Sequence, residues 1–313
     1  MANKNASYVI VTDSGADMPY EYLDAHGIPC VDLTLHFEGE NIEMKNREIR
    51  VSDFYARMRA GEVARTSAPS PAAFAETFEE ILAQGKDVLY LGFDTGISAT
   101  VNSALIAAED LREKYPERKI FVLDSLCASA GLGLVIVQTV KRAEDGMSIE
   151  DAYEFAKSLA PQVAHRFTVE TLTYLCRGGR VSKTAAFAGN MLSIKPVLHV
   201  DDAGKLINIA KARGRMKSLS MLADAFGETA LHTLAGSEIA VGAEYMADPE
   251  DAAKYDTTYM ISQADCMEDA QALADMIYKR FGRKVDMITD IGPVIGSHAG
   301  PGTIALFFVA TRR

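Results

Sequence analysis

Residues 91–105, LGFDTGISATVNSAL, decide how this chain folds. The run leading in, DVLYL at 87–91, is short, apolar and rich in strand formers. Beyond it, Val101, Leu105, Ala108 and Leu111 share one helical face. Between them lie Asp94, Thr95, Gly96, Ser98, Thr100 and Asn102, so the segment reads as strand, small-residue turn and helix. A helix opening of this kind has amides without carbonyl partners and the positive end of the helix dipole, which favours an anion. The stretch is therefore expected to hold an anionic head group.

The same pattern recurs on either side. Residues 8–11 (YVIV) end in Thr12-Asp13-Ser14-Gly15, and residues 119–123 (KIFVL) end in Asp124-Ser125. Further strands are expected at 29–37 and helices at 20–26, 51–60, 72–83, 126–143 and 148–159. Strand alternating with helix marks a parallel, doubly wound α/β sheet, in which ligands sit beyond the carboxyl ends of strands. Asp13, the turn at 66–71 (TSAPSP), residues 94–98 and Asp124-Ser125 all fall there. Asp13 reads equally well as a turn residue or helix cap. In the 66–71 turn, Ser70 as cap and Pro71 at the first helical position account for the helix entry, leaving Thr66 and Ser67 unexplained.

From about residue 165 the pattern changes. A strand-like section at 167–175 precedes Arg177-Gly178-Gly179-Arg180, and a helix is expected at 184–192. Asp201-Asp202-Ala203-Gly204 between 195–200 and 205–211 signals a hairpin. Helices at 216–234 and 268–281 and strands at 238–245, 257–262, 284–289 and 303–310 follow, with a glycine-rich loop or tight helix entry at 293–302. The expected architecture is α/β in two domains. Residues 1–164 form an N-terminal parallel α/β/α sheet domain carrying the head-group loops. Residues 165–313 form a smaller C-terminal mixed-sheet domain completing the site.

Composition narrows the function. A chain of 313 residues with 43 acidic and 32 basic side chains has a net charge of −11, which repels nucleic-acid phosphates and anionic bilayers. Four scattered cysteines, with no CxxC pair, argue for neither zinc nor disulfides and point to a reducing compartment. The longest weakly polar run, 126–137, is too short to span a bilayer. A cytoplasmic protein without stable membrane insertion is expected. No HxH, HExxH, P-loop or GxGxxG pattern suggests a metal or nucleotide cofactor, and none is expected. The enzymatic alternative is a lipase- or esterase-like α/β serine hydrolase. It would use Ser98 in a near-match to the nucleophile elbow, His298 as base and Asp124 or Asp290 as acid. Against it, Thr100 replaces the elbow's second glycine and no segment supplies a second oxyanion donor. Arg177, Arg180, Arg213 and Arg215 read either as solvated surface charge or as a partner-binding patch.

Eight ordered segments together resemble the DegV family of bacterial fatty-acid-binding proteins, which includes the acyl-carrying subunit of fatty acid kinase. They are Val11-Thr12-Asp13-Ser14, Thr66-Ser67 with Pro69, Gly96-Ile97-Ser98, Val122-Leu123-Asp124-Ser125, Gly179-Arg180, Lys195-Pro196-Val197-Leu198, Lys211-Ala212-Arg213 and Ile291-Gly292-Pro293-Val294 with His298. The resemblance implies a non-enzymatic carrier holding a long-chain fatty acid, its carboxylate bound by Thr66 and Ser98 with His298 in the same polar network. It also implies that Arg213 helps dock a soluble kinase subunit that phosphorylates the bound carboxylate. Asp94-Thr95 stands where the family commonly has two serines and Ala99 where it has glycine. The chain is also longer between Gly236 and Lys254. A third reading, a sensor for another small carboxylate, requires a short pocket instead of a long one.

Overall fold

The computed structural model describes residues 7–182, 193–230, 232–233, 239–240 and 258–310. The expected helix at 184–192 and the extra length between Gly236 and Lys254 lie outside them, apart from residues 239–240. In chain order the first half contains β1 (Tyr8–Asp13), α1 (Tyr20–His26), β2 (Cys30–Val31), β3 (Thr34–Phe37), β4 (Met44–Lys45) and α2 (Val51–Arg59). It continues with β5 (Ala64–Ser67), α3 (Pro71–Leu82), β6 (Asp87–Gly92), α4 (Thr100–Lys114), β7 (Ile120–Asp124), α5 (Ala130–Glu144) and α6 (Ile149–Leu159). Strands β2-β1-β6-β7 form a four-stranded parallel sheet. Alternate residues of these strands bury opposite faces. Val11, Val88 and Tyr90 pack with Phe74, Phe78 and Val101 of α3 and α4, while Ile10, Leu89, Leu91 and Leu123 pack with α5 and α6. Both faces are covered, which is why the strands read as unbroken apolar runs.

The single strand expected at 29–37 is two. Cys30–Val31 pairs with β1, whereas Thr34–Phe37 turns into a separate antiparallel sheet of order β4-β3-β5. The break is held by Ser14, whose hydroxyl accepts from Leu33 N–H at 2.9 Å. That small sheet, backed by Phe54 and Tyr55 of α2, carries Thr66 and Ser67 on β5.

The second half contains β8 (Val163–Thr168), α7 (Thr173–Arg177), β9 (Ile194–Val200), β10 (Leu206–Arg213), α8 (Arg215–Thr229), β11 (His232–Thr233) and β12 (Ile239–Ala240). Then come β13 (Tyr259–Gln263), α9 (Met267–Phe281), β14 (Met287–Asp290), α10 (Pro293–Ala299) and β15 (Ile304–Val309). Six strands form a mixed sheet of order β10-β9-β8-β15-β13-β14, with the expected hairpin joining β9 and β10. The expected division between residues 164 and 165 falls inside β8. The strand-like section expected at 167–175 ends at Thr168 and gives way to α7, and the glycine-rich segment at 293–302 forms α10. One sheet face, with Ile304, Leu306 and Phe308, packs on α8 and α9; the other, with Ala305, Phe307 and Phe167, packs on the first half.

Buried hydrogen bonds cross that seam. Asp17 accepts from Gly292 N–H at 2.8 Å and from the Ser129 hydroxyl at 2.5 Å. Tyr55 donates to Ile291 carbonyl at 2.8 Å, and Asn46 accepts from Val294 N–H at 2.9 Å. Asp13 latches β1 to β6, accepting from Gly15 N–H, Phe93 N–H and the Tyr90 hydroxyl. It is a structural residue.

Burial lifts the Asp17 carboxyl to about 7, aided by the charges of Asp290 and Asp13, and lifts Asp13 to about 6, from an ordinary 3.8. Each binds its proton more tightly folded than unfolded. Their stabilisation is complete below about pH 4 and is lost as pH rises through 6 to 7. Thermal midpoints should therefore fall between about pH 5 and about pH 8, and Asp17→Asn should remove roughly 1–2 kcal/mol of that decline, a few degrees. Thermal scans at fixed ionic strength check this; an undiminished slope in the variant contradicts it.

Candidate functional site

A cavity of about 300 Å³ lies between the inner face of the six-stranded sheet and the first half. Thr66, Ser98 and His298 all border it. They arrive from three places: the end of β5, the turn after β6 and the last turn of α10. Most other lining residues are apolar, among them Leu33, Phe93, Ile97, Phe167, Val200 and Phe307.

The polar groups are linked by direct contacts. Thr66 Oγ1 and His298 Nε2 are 2.7 Å apart. The His298 ring lies against Gly178, where an added Cβ would stand 2.1 Å from Nδ1; only glycine permits that approach. His298 Nδ1 is buried and has no hydrogen-bond partner among the described residues. Next along the chain, Arg180 donates to Gly178 carbonyl at 2.6 Å and to Ile97 carbonyl at 3.1 Å. Ile97 leads into Ser98, whose Oγ lies 2.7 Å from Thr100 Oγ1 and accepts from Thr100 N–H at 3.3 Å. Ser98 is not the cap of α4, as a helix-opening serine would be; Ala99 holds that position and Ser98 forms a side-chain turn just before it.

The electrostatics favour an anion. Arg180 is half-buried, and among the described residues no carboxylate pairs with it; both its hydrogen bonds go to carbonyls. Burial lowers its pKa from the ordinary value, yet a guanidinium stays charged. His298 is pushed down to about 4, first by burial, then by the positive charges of Arg180 and Arg65. At neutral pH the site presents a neutral imidazole, hydroxyls and a guanidinium without a counter-ion. Asp94, an acid four residues before Ser98 in sequence, does not border the cavity. It is fully buried, accepts from Gly96 N–H at 2.7 Å and packs on the Gly204 turn between β9 and β10.

The hydrolase arrangement does not form. His298 Nε2 engages Thr66, Ser98 engages Thr100, and Asp124 is taken up by Thr95 and by Leu126 N–H. Asp290 accepts from Gln263 at the end of β14. Neither acid orients His298, and His298 does not reach Ser98 as a base must. Arg213 lies outside the cavity, exposed at the end of edge strand β10. Arg180 is one of four arginines that the sequence left between solvated surface and partner-binding patch, and neither reading placed it at the cavity. Among the described residues no group of His, Cys, Asp and Glu is arranged to hold a metal, and no helix is long and apolar enough to cross a membrane.

A family model described as uncharacterised protein of the DegV family matches residues 7–311. The chain belongs to the DegV family. A DegV domain-containing protein of Clostridium perfringens is 40% identical over 303 residues, covering 96% of this chain and 97% of that one. A second, from Lactococcus lactis, is 30% identical over 310 residues, covering 98% and 99%. Among solved structures, a stearic-acid-binding protein of Eubacterium ventriosum superposes with a TM-score of 0.80 at 27% identity, covering 97% of this chain and 98% of that one. A DegV protein of Thermus thermophilus, described by its fatty acid binding, gives 0.79 at 27%, covering 97% and 99%.

In a titration followed by imidazole NMR, His298 of the ligand-free protein should stay neutral from pH 7 down to about 5 and protonate with a midpoint of about 4. A midpoint near the ordinary 6.5 would show that neither burial nor Arg180 acts on the ring.

Proposed function

We propose that this DegV protein is a carrier of long-chain fatty acids that does no covalent chemistry of its own. The observation that carries this reading is a mostly apolar cavity whose polar residues cluster with a half-buried guanidinium that has no counter-ion among the described residues. An amphipathic anion satisfies both parts. A carboxylate only accepts hydrogen bonds, and the Thr66 and Ser98 hydroxyls and Arg180 can donate them. The tail supplies the strength, since each buried CH₂ contributes about 0.8 kcal/mol before ordering costs. The fatty acids named for the Eubacterium ventriosum and Thermus thermophilus relatives support the same ligand class.

The cavity also runs too far for a small-carboxylate sensor. Thr303, just before β15, and Ala305 and Phe307 on one face of that strand all border it, a span of about 13 Å at about 3.3 Å per residue.

The finer part of the proposal is presentation. The carrier offers the bound carboxylate to a soluble kinase subunit for acyl-phosphate formation in the cytoplasm. Arg213, exposed on β10 and clear of the cavity, is available to dock that partner.

Thr66→Ala and Ser98→Ala should each weaken fatty-acid binding about tenfold or more, the size of a lost charge-assisted hydrogen bond of roughly 1.5–3 kcal/mol. Equilibrium binding with a fatty acid and its methyl ester reads this directly, because the ester should be indifferent to both changes. Equal losses for acid and ester would remove these residues from head-group binding. Arg213→Glu should leave binding intact and lower acyl-phosphate formation by the partner at least tenfold; unimpaired phosphorylation would end that role.

A further inference from the structure

We propose that Phe307 and His165 form a closed wall at the far end of the cavity and set the length of acyl chain it accepts, an inference that rests on the fatty-acid reading above. The register of the sheet supplies the axis. Thr303 lies at the head end, its hydroxyl bonded to the carbonyls of Ala299 and Gly300, the residues that follow His298. Phe307 borders the cavity four residues farther along the same face of β15 and pairs across the sheet with His165 of β8. Val309 and Val163, the next pair on that face, are buried and no longer border the cavity. Along β15 the space ends at the Phe307–His165 row.

This wall cannot retreat. Ala128 N–H donates to His165 Nε2 at 3.1 Å, so that nitrogen carries the lone pair and Nδ1 carries the proton, which it donates to Val163 carbonyl at 2.9 Å. The ring stands edge-on to Phe307 at 5.2 Å and 89°. Behind it, the first turn of α5 comes so close at Gly131 that an added Cβ would lie 2.2 Å from Nε2. With both nitrogens engaged inside the protein, the ring offers the tail carbon only. Histidine suits the position because it takes up the amide before α5 and still turns an apolar edge to the cavity. A methyl terminus advancing along β15 meets this rigid row, and a longer chain has to turn across the sheet toward Val200 and Leu206, which also border the cavity.

Competition binding with saturated fatty acids of about 10 to about 20 carbons tests the wall from both sides. Phe307→Ala opens apolar space without polar partners, which stays dry and takes more tail. It should move the preferred acid about two carbons longer, with a gain of roughly tenfold for that acid relative to the wild-type protein. Gly131→Ala drives His165 toward the cavity and should shift the preference to shorter acids. Phe307→Leu, a milder change, should lengthen it by a smaller step and reads the same property if Phe307→Ala does not fold. An unchanged length profile in folded, acid-binding Phe307 variants overturns the wall and leaves the carrier reading standing. Failure of the wild-type protein to bind any acid in the series overturns the carrier reading itself.

Discussion

Helix α10 is the constraint on which the rest of the structure depends. It lies in the second half of the chain, yet its entry is fastened to the first half by Asp17, Asn46 and Tyr55 through buried hydrogen bonds of 2.8–2.9 Å. Its far end presents His298 to Thr66, 232 positions away in sequence. Together with the apolar packing of Ile291 and Val294 on Phe54 and Tyr55, those fasteners hold the hydroxyl of β5 and the imidazole of α10 at bonding distance. Buried polar groups are costly unless paired, so each of these bonds specifies one docking of the two halves. The price appears in the raised carboxyl pKa of Asp17, which is buried in the seam.

From that docking follows the cavity. The inner face of the six-stranded sheet has alternating residues Thr303, Ala305 and Phe307, and only a second apolar surface laid across them encloses an elongated space. The head end is polar because the chain brings Thr66, Ser98, Arg180 and His298 there from four separate segments. Gly178 sits at the centre of that convergence: its missing side chain lets the His298 ring approach, and its carbonyl accepts from Arg180. The cavity thus joins a polar end to a mostly apolar wall.

Much of the fold was legible in the sequence. The apolar runs ending in Asp13, in the Asp94 turn and at Asp124 became β1, β6 and β7 of one parallel sheet, and the Asp201–Gly204 turn became the β9–β10 hairpin. The cap at Ser70 and Pro71 also appears as expected. Periodicity could not show that residues 29–37 divide between two sheets, since both pieces are apolar and the break depends on Ser14, a distant residue. Nor could it show that Ser98 forms a turn before α4 instead of capping it, a difference of one position.

Of the cavity's polar lining, Thr66, Ser98 and His298 were named from the sequence and the burial of Arg180 was not. Ser98 drew notice by its place between strand and helix, whereas Thr66, which lies within β5, was singled out only through the family resemblance. Arg180 gives no such signal, because whether an arginine is solvated or half-buried without a counter-ion depends on long-range packing. His165 and Gly131 are likewise ordinary residues in sequence and meet only because β8 runs past the start of α5. Native mass spectrometry of the purified protein, followed by extraction and identification of what it releases, tests the central claim most directly. The account predicts one non-covalently held long-chain fatty acid per chain; a short carboxylate, or a protein that stays empty when offered long-chain fatty acids, would contradict it.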